Sequence, residues 1–288
     1  MVEVGMHQYV GIGKRYWLYS LGWILILFLV CGSAQSATLF EQSWQKLESR
    51  LAGVQSEPYT FVVMGDSRGN DQVFIKCLKT AAGYHPLFIL HTGDAVSTGS
   101  KKQFLHFLGL LQQALPDMPV FVAAGNHELT DRDKSEKGKV LFQQLIGPLD
   151  YVLDLSRINA RFIVLDNSGY SLTSNQVDYL KEQLSMGDSL KFVFMHIPPQ
   201  TPKWIDSHTF TKGADAFLQT LSTRNVAGVF YGHYHLYDED TLSGTRHIIT
   251  GGAGAPLTRL YFGDASYHFV VVKLSGGKVS TEKVPVPE

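Results

Sequence analysis

Short apolar runs punctuate this chain, each followed within a few residues by glycine, aspartate or histidine. They are Phe61-Val62-Val63-Met64, Leu87-Phe88-Ile89-Leu90, Val120-Phe121-Val122, Phe192-Val193-Phe194-Met195 and the weaker Val226-Ala227-Gly228-Val229-Phe230. Runs this short, rich in β-branched and aromatic residues, predict buried strands. Between them, apolar residues recur three and four positions apart. That spacing predicts helices over residues 41–51, 70–82, 176–184 and 214–221. A further helix is marked by Phe104, Phe107, Leu108 and Leu111, and it ends before Pro116. Strand and helix alternate through the first half, which argues for parallel βαβ units.

The second half changes character. Residues 151–155 and 161–165 predict a hairpin around Asn159. The C-terminal third is strand-rich, at residues 247–249, 267–274 and 279–284, with Gly276-Gly277 as a hairpin turn. Three polar stretches, at residues 129–139, 199–213 and 237–246, are expected to be rim loops that set substrate choice.

The chemistry follows the strands. Gly65-Asp66, Gly93-Asp94, Gly125-Asn126-His127-Glu128, His196 and Gly232-His233-Tyr234-His235 come in that order. Ligands of α/β sheets bind outside the carboxyl ends of the strands, so these residues should converge on one rim. Carboxylate oxygens mixed with imidazoles suit a pair of divalent ions better than a single zinc.

This order resembles the calcineurin-like metallophosphoesterase superfamily, whose pattern is Asp-x-His, Gly-Asp, Gly-Asn-His-Asp/Glu, His and Gly-His-x-His. The resemblance runs from about Thr60 to Pro256. It implies a four-layer α/β/β/α sandwich of two mixed sheets with metals at the strand C-terminal ends. It also implies two divalent ions, Mn, Fe or Zn. Asp94 would bridge them, Asp66 and His235 would hold the first, and Asn126, His196 and His233 the second. Asn126 would also face substrate, and His127 would protonate the leaving oxygen. The implied reaction is hydrolysis of a phosphomonoester or phosphodiester by in-line attack of a metal-bridging hydroxide. The substrate is a small-molecule or macromolecular phosphoester.

One position departs from the pattern. The residue two after the first aspartate is Arg68, where the family places an imidazole. A guanidinium has no lone pair to coordinate a cation, so the first ion loses a protein ligand. Its fork suits phosphate oxygens, and Arg68 is assigned to substrate, against a structural ion pair as the alternative. Asn70 and Asp71 are the candidates for the missing ligand. Asp94-Ala95-Val96-Ser97-Thr98 holds no second acid to orient His127. His91 is read as packing, and His7, His85, His106, His208, His247 and His268 as surface or core residues. The rival from another class is a non-catalytic phosphate-ligand or envelope binding protein with a partly degenerate metal site.

The remaining features set the context. The chain has 288 residues and a near-balanced charge, with 25 Lys and Arg against 26 Asp and Glu, so no basic face for nucleic acid is indicated. Lys14 and Arg15, an apolar stretch at residues 16–30, then Ala34-Gln35-Ser36 follow the order of a secretory leader. Residues 1–36 are therefore expected to be a signal peptide and residues 37–288 a single catalytic domain, exported to the periplasm or the exterior. An uncleaved inner-membrane anchor through residues 16–30 stays open, though a span needs ~20 apolar residues. Cys31 invites lipidation, against which Val30 is large for a lipobox. Cleavage would leave Cys77 without a disulfide partner. Oligomeric state carries no signal in the sequence.

Overall fold

The computed structural model describes residues 37–129 and 137–288. The leader, anchor and lipidation readings of residues 1–36, with His7, lie outside the described residues, as does most of the segment at 129–139.

The chain runs α1 (Leu39–Gly53), β1 (Tyr59–Met64), α2 (Asp71–Ala82), β2 (Ile89–His91), α3 (Lys101–Ala114) and β3 (Val120–Val122). It continues with α4 (Asn126–Leu129), α5 (Lys137–Leu145), β4 (Tyr151–Leu155), β5 (Ala160–Val164), α6 (Ser174–Ser185) and β6 (Leu190–Phe194). It ends with α7 (Ala214–Ser222), β7 (Gly228–Tyr231), β8 (Tyr237–Leu242), β9 (Thr245–Thr250), β10 (His268–Ser275) and β11 (Lys278–Pro285). Two mixed sheets result, ordered β11-β10-β1-β2-β3 and β4-β5-β6-β7-β9-β8.

Strand alternation decides the layering. Phe61 and Val63 of β1 face the second sheet, while Val62 and Met64 face α2 and α3. Phe162, Val164, Phe192 and Phe194 answer from the other side, and Phe61 meets Phe162 edge-on with centroids 5.1 Å apart. Ile163, Val193 and Val229 point outward instead, onto Val177, Leu180, Phe217 and Leu221 of α6 and α7. Each side chain of this size contributes about 1.5–3 kcal/mol when fully buried. The order of layers is α/β/β/α, as the motif order implies. Helix α1 flanks β3, where Ser43 Oγ accepts from Val120 N at 3.0 Å and donates to Val120 O at 2.8 Å. Cys77 is buried on α2, and burial pushes its thiol up to about 12.

The hairpins form at the expected places. Asn159 takes a left-handed turn, φ 49°, between antiparallel β4 and β5. Gly276 and Gly277, φ 57° and 72°, join β10 to β11. One expectation is corrected. Residues 237–246 are not a rim loop but the hairpin of β8 and β9, with Ser243 and Gly244 at its turn. Their alternation is masked because Asp238 is buried, accepting from Trp204 Nε1 at 2.7 Å and Lys203 Nζ at 2.9 Å. That pair of contacts pins the segment at 199–213 against β8. Among the described residues, no helix is long and apolar enough to cross a membrane.

Candidate metal centre

Asp66 follows β1, Asp94 follows β2, Asn126 opens the short helix after β3, His196 follows β6 and His233 follows β7. Asp66, Asp94 and His233 all have left-handed backbone, with φ of 58°, 57° and 71°. Non-glycine residues rarely hold that conformation, and where they do the surroundings enforce it. Here the enforcement is a set of bonds between loops. Asp66 N donates to Gly93 O at 2.9 Å, His233 N to Asp66 Oδ2 at 2.9 Å and Gly232 N to His196 O at 2.9 Å. Gly125 must be glycine, since a Cβ there would lie 2.3 Å from Asp94 Oδ1.

Two groups of ligand atoms emerge, each within 4.8 Å: Asp94 with His196 and His233, and Asp66 with Asp94 and His235. Asp94 belongs to both. His196 Nε2 lies 3.3 Å from Asp94 Oδ1, 3.1 Å from Asn126 Oδ1 and 3.2 Å from His233 Nδ1. His235 Nε2 lies 3.5 Å from Asp66 Oδ1. All six ligand candidates are therefore brought together. Asn70 and Asp71 are not among them. Asn70 caps α2 by accepting from Val73 N, and Asp71 pairs with His106 at 2.8 Å.

The donor set fits divalent cations. His196 Nδ1–H donates to Thr92 O at 2.8 Å and His235 Nδ1–H donates to Pro256 O at 2.7 Å. Carbonyls only accept, so each ring turns Nε2 to the cluster, where it can bind a cation once free of a proton. Burial pushes His233 down to about 2 and His235 to about 4, which keeps these rings in the neutral ligating form. Asp66 Oδ1 is buried with no hydrogen-bond partner among the described residues. Burial works against charge on His196, yet Asp94 outweighs it and lifts His196 to about 9. A proton and a divalent cation thus compete for the same acceptors.

Several residues support the cluster without standing in it. Glu128 is buried, and its carboxylate accepts from Asp94 N at 2.8 Å, Gly125 N at 2.6 Å and Val96 N at 3.1 Å. It clips the loop after β2 to the loop after β3. Burial, then Asp94, push Glu128 up to about 7. Asn167 Oδ1 accepts from His196 N and Ile197 N, and its Nδ2 donates to Ile197 O. His91 does more than pack. It accepts from Gly93 N at 3.2 Å and donates from Nε2 to Ser67 Oγ at 3.0 Å, joining the first two motif loops. Burial pushes it down to about 3.

A cavity of about 330 Å³ opens beside the cluster, lined by Arg68, His127, Tyr170, His208 and Tyr234 among others. His127 Nδ1–H donates to Ser97 O at 2.8 Å, and its Nε2 stands 3.8 Å from Asp94 Oδ2. Arg68 reaches Asp94 Oδ2 through Nε and His235 Nε2 through Nη2, both at 3.4 Å. Neither Tyr170 nor His208 belongs to one of the five motifs. Tyr170 Oη lies 3.2 Å from His233 Nε2 and the His208 ring 5.8 Å from the His233 ring. His208, read above as surface or core, is a wall of the site. Asn167 had a signal: like the motif residues, it follows an apolar run, Phe162-Ile163-Val164-Leu165.

A rim of carboxylates and imidazoles above two sandwiched sheets defines a metallophosphoesterase. A family profile for calcineurin-like phosphoesterase matches residues 59–237, and the chain belongs to that family of phosphoester hydrolases. A curated relative from Fibrobacter succinogenes, named as a probable cyclic nucleotide phosphodiesterase, is 25% identical over 155 residues. The match spans 50% of this chain and 56% of that one, so the chain accounts for little more than half of its relative. Purple acid phosphatase PPD1 from yellow lupin has a similar fold, with TM-score 0.64 and 16% identity over 80% of this chain and 52% of that one. A dimetal phosphatase from Danio rerio gives TM-score 0.59 and 16% identity over 79% of this chain and 96% of that one.

Proposed function

We propose that this protein hydrolyses phosphoesters in the cavity beside Asp94, using divalent cations held by Asp66, Asp94, Asn126, His196, His233 and His235. The observation that carries the reading is the sharing of Asp94 between two ligand groups, with His127 at the adjoining cavity wall. Two ions of Mn, Fe or Zn are proposed, because Asp94 stands in both ligand groups and each group could hold one. Such ions supply a nucleophile from water at neutral pH and offset charge on the phosphoryl oxygens.

The remaining roles belong to the chain. Arg68 and Asn126 grip non-bridging oxygens of the substrate; a charged hydrogen bond of that kind is worth about 1.5–3 kcal/mol. His127 donates a hydrogen bond from Nδ1–H to Ser97 O, so Nε2 is the free ring nitrogen, and in the imidazolium form it is the atom that hands a proton to the departing oxygen. Buried Glu128, Asn167 and His91 hold the loops still while this happens. Tyr170, Tyr234 and His208 form the wall that meets the rest of the substrate.

The test is a panel of phosphate monoesters and diesters offered to the metal-reconstituted protein. The name of the Fibrobacter succinogenes relative makes cyclic nucleotides the first diesters to try. Hydrolysis of at least one member, lost on chelation and restored by Mn²⁺, is the expected result. Binding without turnover across the panel would favour a phosphate-ligand binding protein instead.

A further inference from the structure

The two ligand groups around Asp94 are unequal, and Arg68 makes them so. The group of Asp94, Asn126, His196 and His233 gathers acceptor atoms at 3.1–3.3 Å from His196 Nε2. Within this group Arg68 meets Asp94 at Oδ2, while His196 faces Oδ1. The group of Asp66, Asp94 and His235 has a guanidinium lodged on two of its three members. Arg68 Nε donates to Asp94 Oδ2 and Nη2 donates to the His235 Nε2 lone pair, each at 3.4 Å. That lone pair is the one a metal ion would take, since His235 Nδ1–H is committed to Pro256 O. Metal–ligand bonds are about 2.0–2.3 Å long. An ion at that distance from Asp94 and His235 would sit against the guanidinium, positive charge on positive charge.

We propose that Arg68 is a built-in cation that competes with one of the two metal ions, so that the resting protein holds one divalent ion tightly and a second more weakly until phosphate draws Arg68 away. The inference rests on the metal-dependent reading above. Its separate content is a difference in affinity between the two ligand groups, and the residue responsible.

Four features suit Arg68 to this exchange. Its charge is permanent, so it never vacates by deprotonation. Its two contacts are longer than well-formed hydrogen bonds, which centre near 2.9 Å. It is also the one described residue that lines both the 330 Å³ cavity and a neighbouring cavity of about 430 Å³ between α2 and α3. Its side chain is 19% exposed, so it can move without unpacking the core. A phosphate dianion in the smaller cavity offers the guanidinium a bidentate partner. Taking it frees Asp94 Oδ2 and His235 Nε2 together. Metal and phosphate then bind cooperatively, and by linkage each raises the affinity for the other.

The experiment is Mn²⁺ titration of the chelated full-length protein, read by bound-metal analysis and by the spin-coupled electron paramagnetic resonance signal of a Mn pair. Wild type is expected to take one Mn²⁺ tightly and a second about 10- to 100-fold more weakly. Inorganic phosphate should tighten the second site and bring up the pair signal. Arg68→Gln and Arg68→His should tighten the second site without phosphate and largely lose its phosphate dependence. His235→Ala should delete the weak site and leave the tight one. Equal filling of both sites in wild type, or no gain in either Arg68 variant of unchanged thermal stability, would overturn the inference while leaving the hydrolase reading intact. Failure of either position to hold Mn²⁺ would overturn both.

Discussion

His127 donates its Nδ1 proton to the main-chain carbonyl of Ser97, 2.8 Å away. No acid follows Asp94 closely enough to do this, and a backbone oxygen takes the place of a side chain. The carbonyl fixes both the tautomer and the aim of the ring, leaving Nε2 toward the cavity. His127→Ala should therefore slow esters with poor leaving groups by about 10²–10⁴-fold. Activated aryl esters should lose far less. Equal losses for both, measured as kcat/KM, would show that His127 acts only by holding its neighbour Asn126.

Glu128 accepts from three N–H groups, those of Asp94, Val96 and Gly125. Each stranded donor costs about 1–3 kcal/mol. Glu128→Ala is expected to lower unfolding free energy by roughly 3 kcal/mol or more, seen as a shifted urea midpoint with unchanged slope. A loss of less than about 1 kcal/mol would mean water replaces the carboxylate.

His247 and His268 are buried, and Nε2 of each has no hydrogen-bond partner among the described residues. Burial pushes both rings from 6.5 down to about 4. The unfolded chain takes up these protons as pH falls through 6.5, while the folded chain resists until about 4. Their contribution is thus fully present above 6.5 and is lost progressively as pH falls towards 4. Each ring is worth roughly 3 kcal/mol over that window. Urea unfolding at pH 7 and pH 5 should show a clear drop for wild type and a smaller one for His268→Gln. The same drop in both would remove His268 from the account.

Much of the site was legible because its residues sit at strand ends, where an apolar run stops and a ligand type begins. Asp66, Asp94, Asn126, His196 and His233 all carry that mark. The supporting shell does not. Ser97 contributes a carbonyl, which every residue has. His208 reaches the cavity because Trp204 and Lys203 anchor its loop on Asp238, a contact across more than thirty positions. The β8–β9 hairpin was hidden for the same reason, since Asp238 is a charge turned inward. His91 looked like packing by alternation, and it does point inward, but onto Ser67 and Gly93.

We propose that residues 1–36 are removed and that the mature protein, beginning near Ala37, lies outside the cytoplasm. The order of Lys14-Arg15, apolar residues 16–30 and Ala34-Gln35-Ser36 motivates this. Terminal sequencing of protein from its native host should start close to Ala37. A start before Gly32 would favour the membrane anchor.

The central claim is that Asp94 joins two ligand groups into one hydrolytic centre, and the most direct measurement is hydrolysis by Asp94→Asn alongside its bound metal. The side chain keeps its size and one carbonyl oxygen but loses the charge that both groups share. Hydrolysis of the best ester in the panel should fall to background, with bound metal sharply reduced and circular dichroism unchanged. Wild-type turnover by Asp94→Asn, with its metal content intact, would contradict the account.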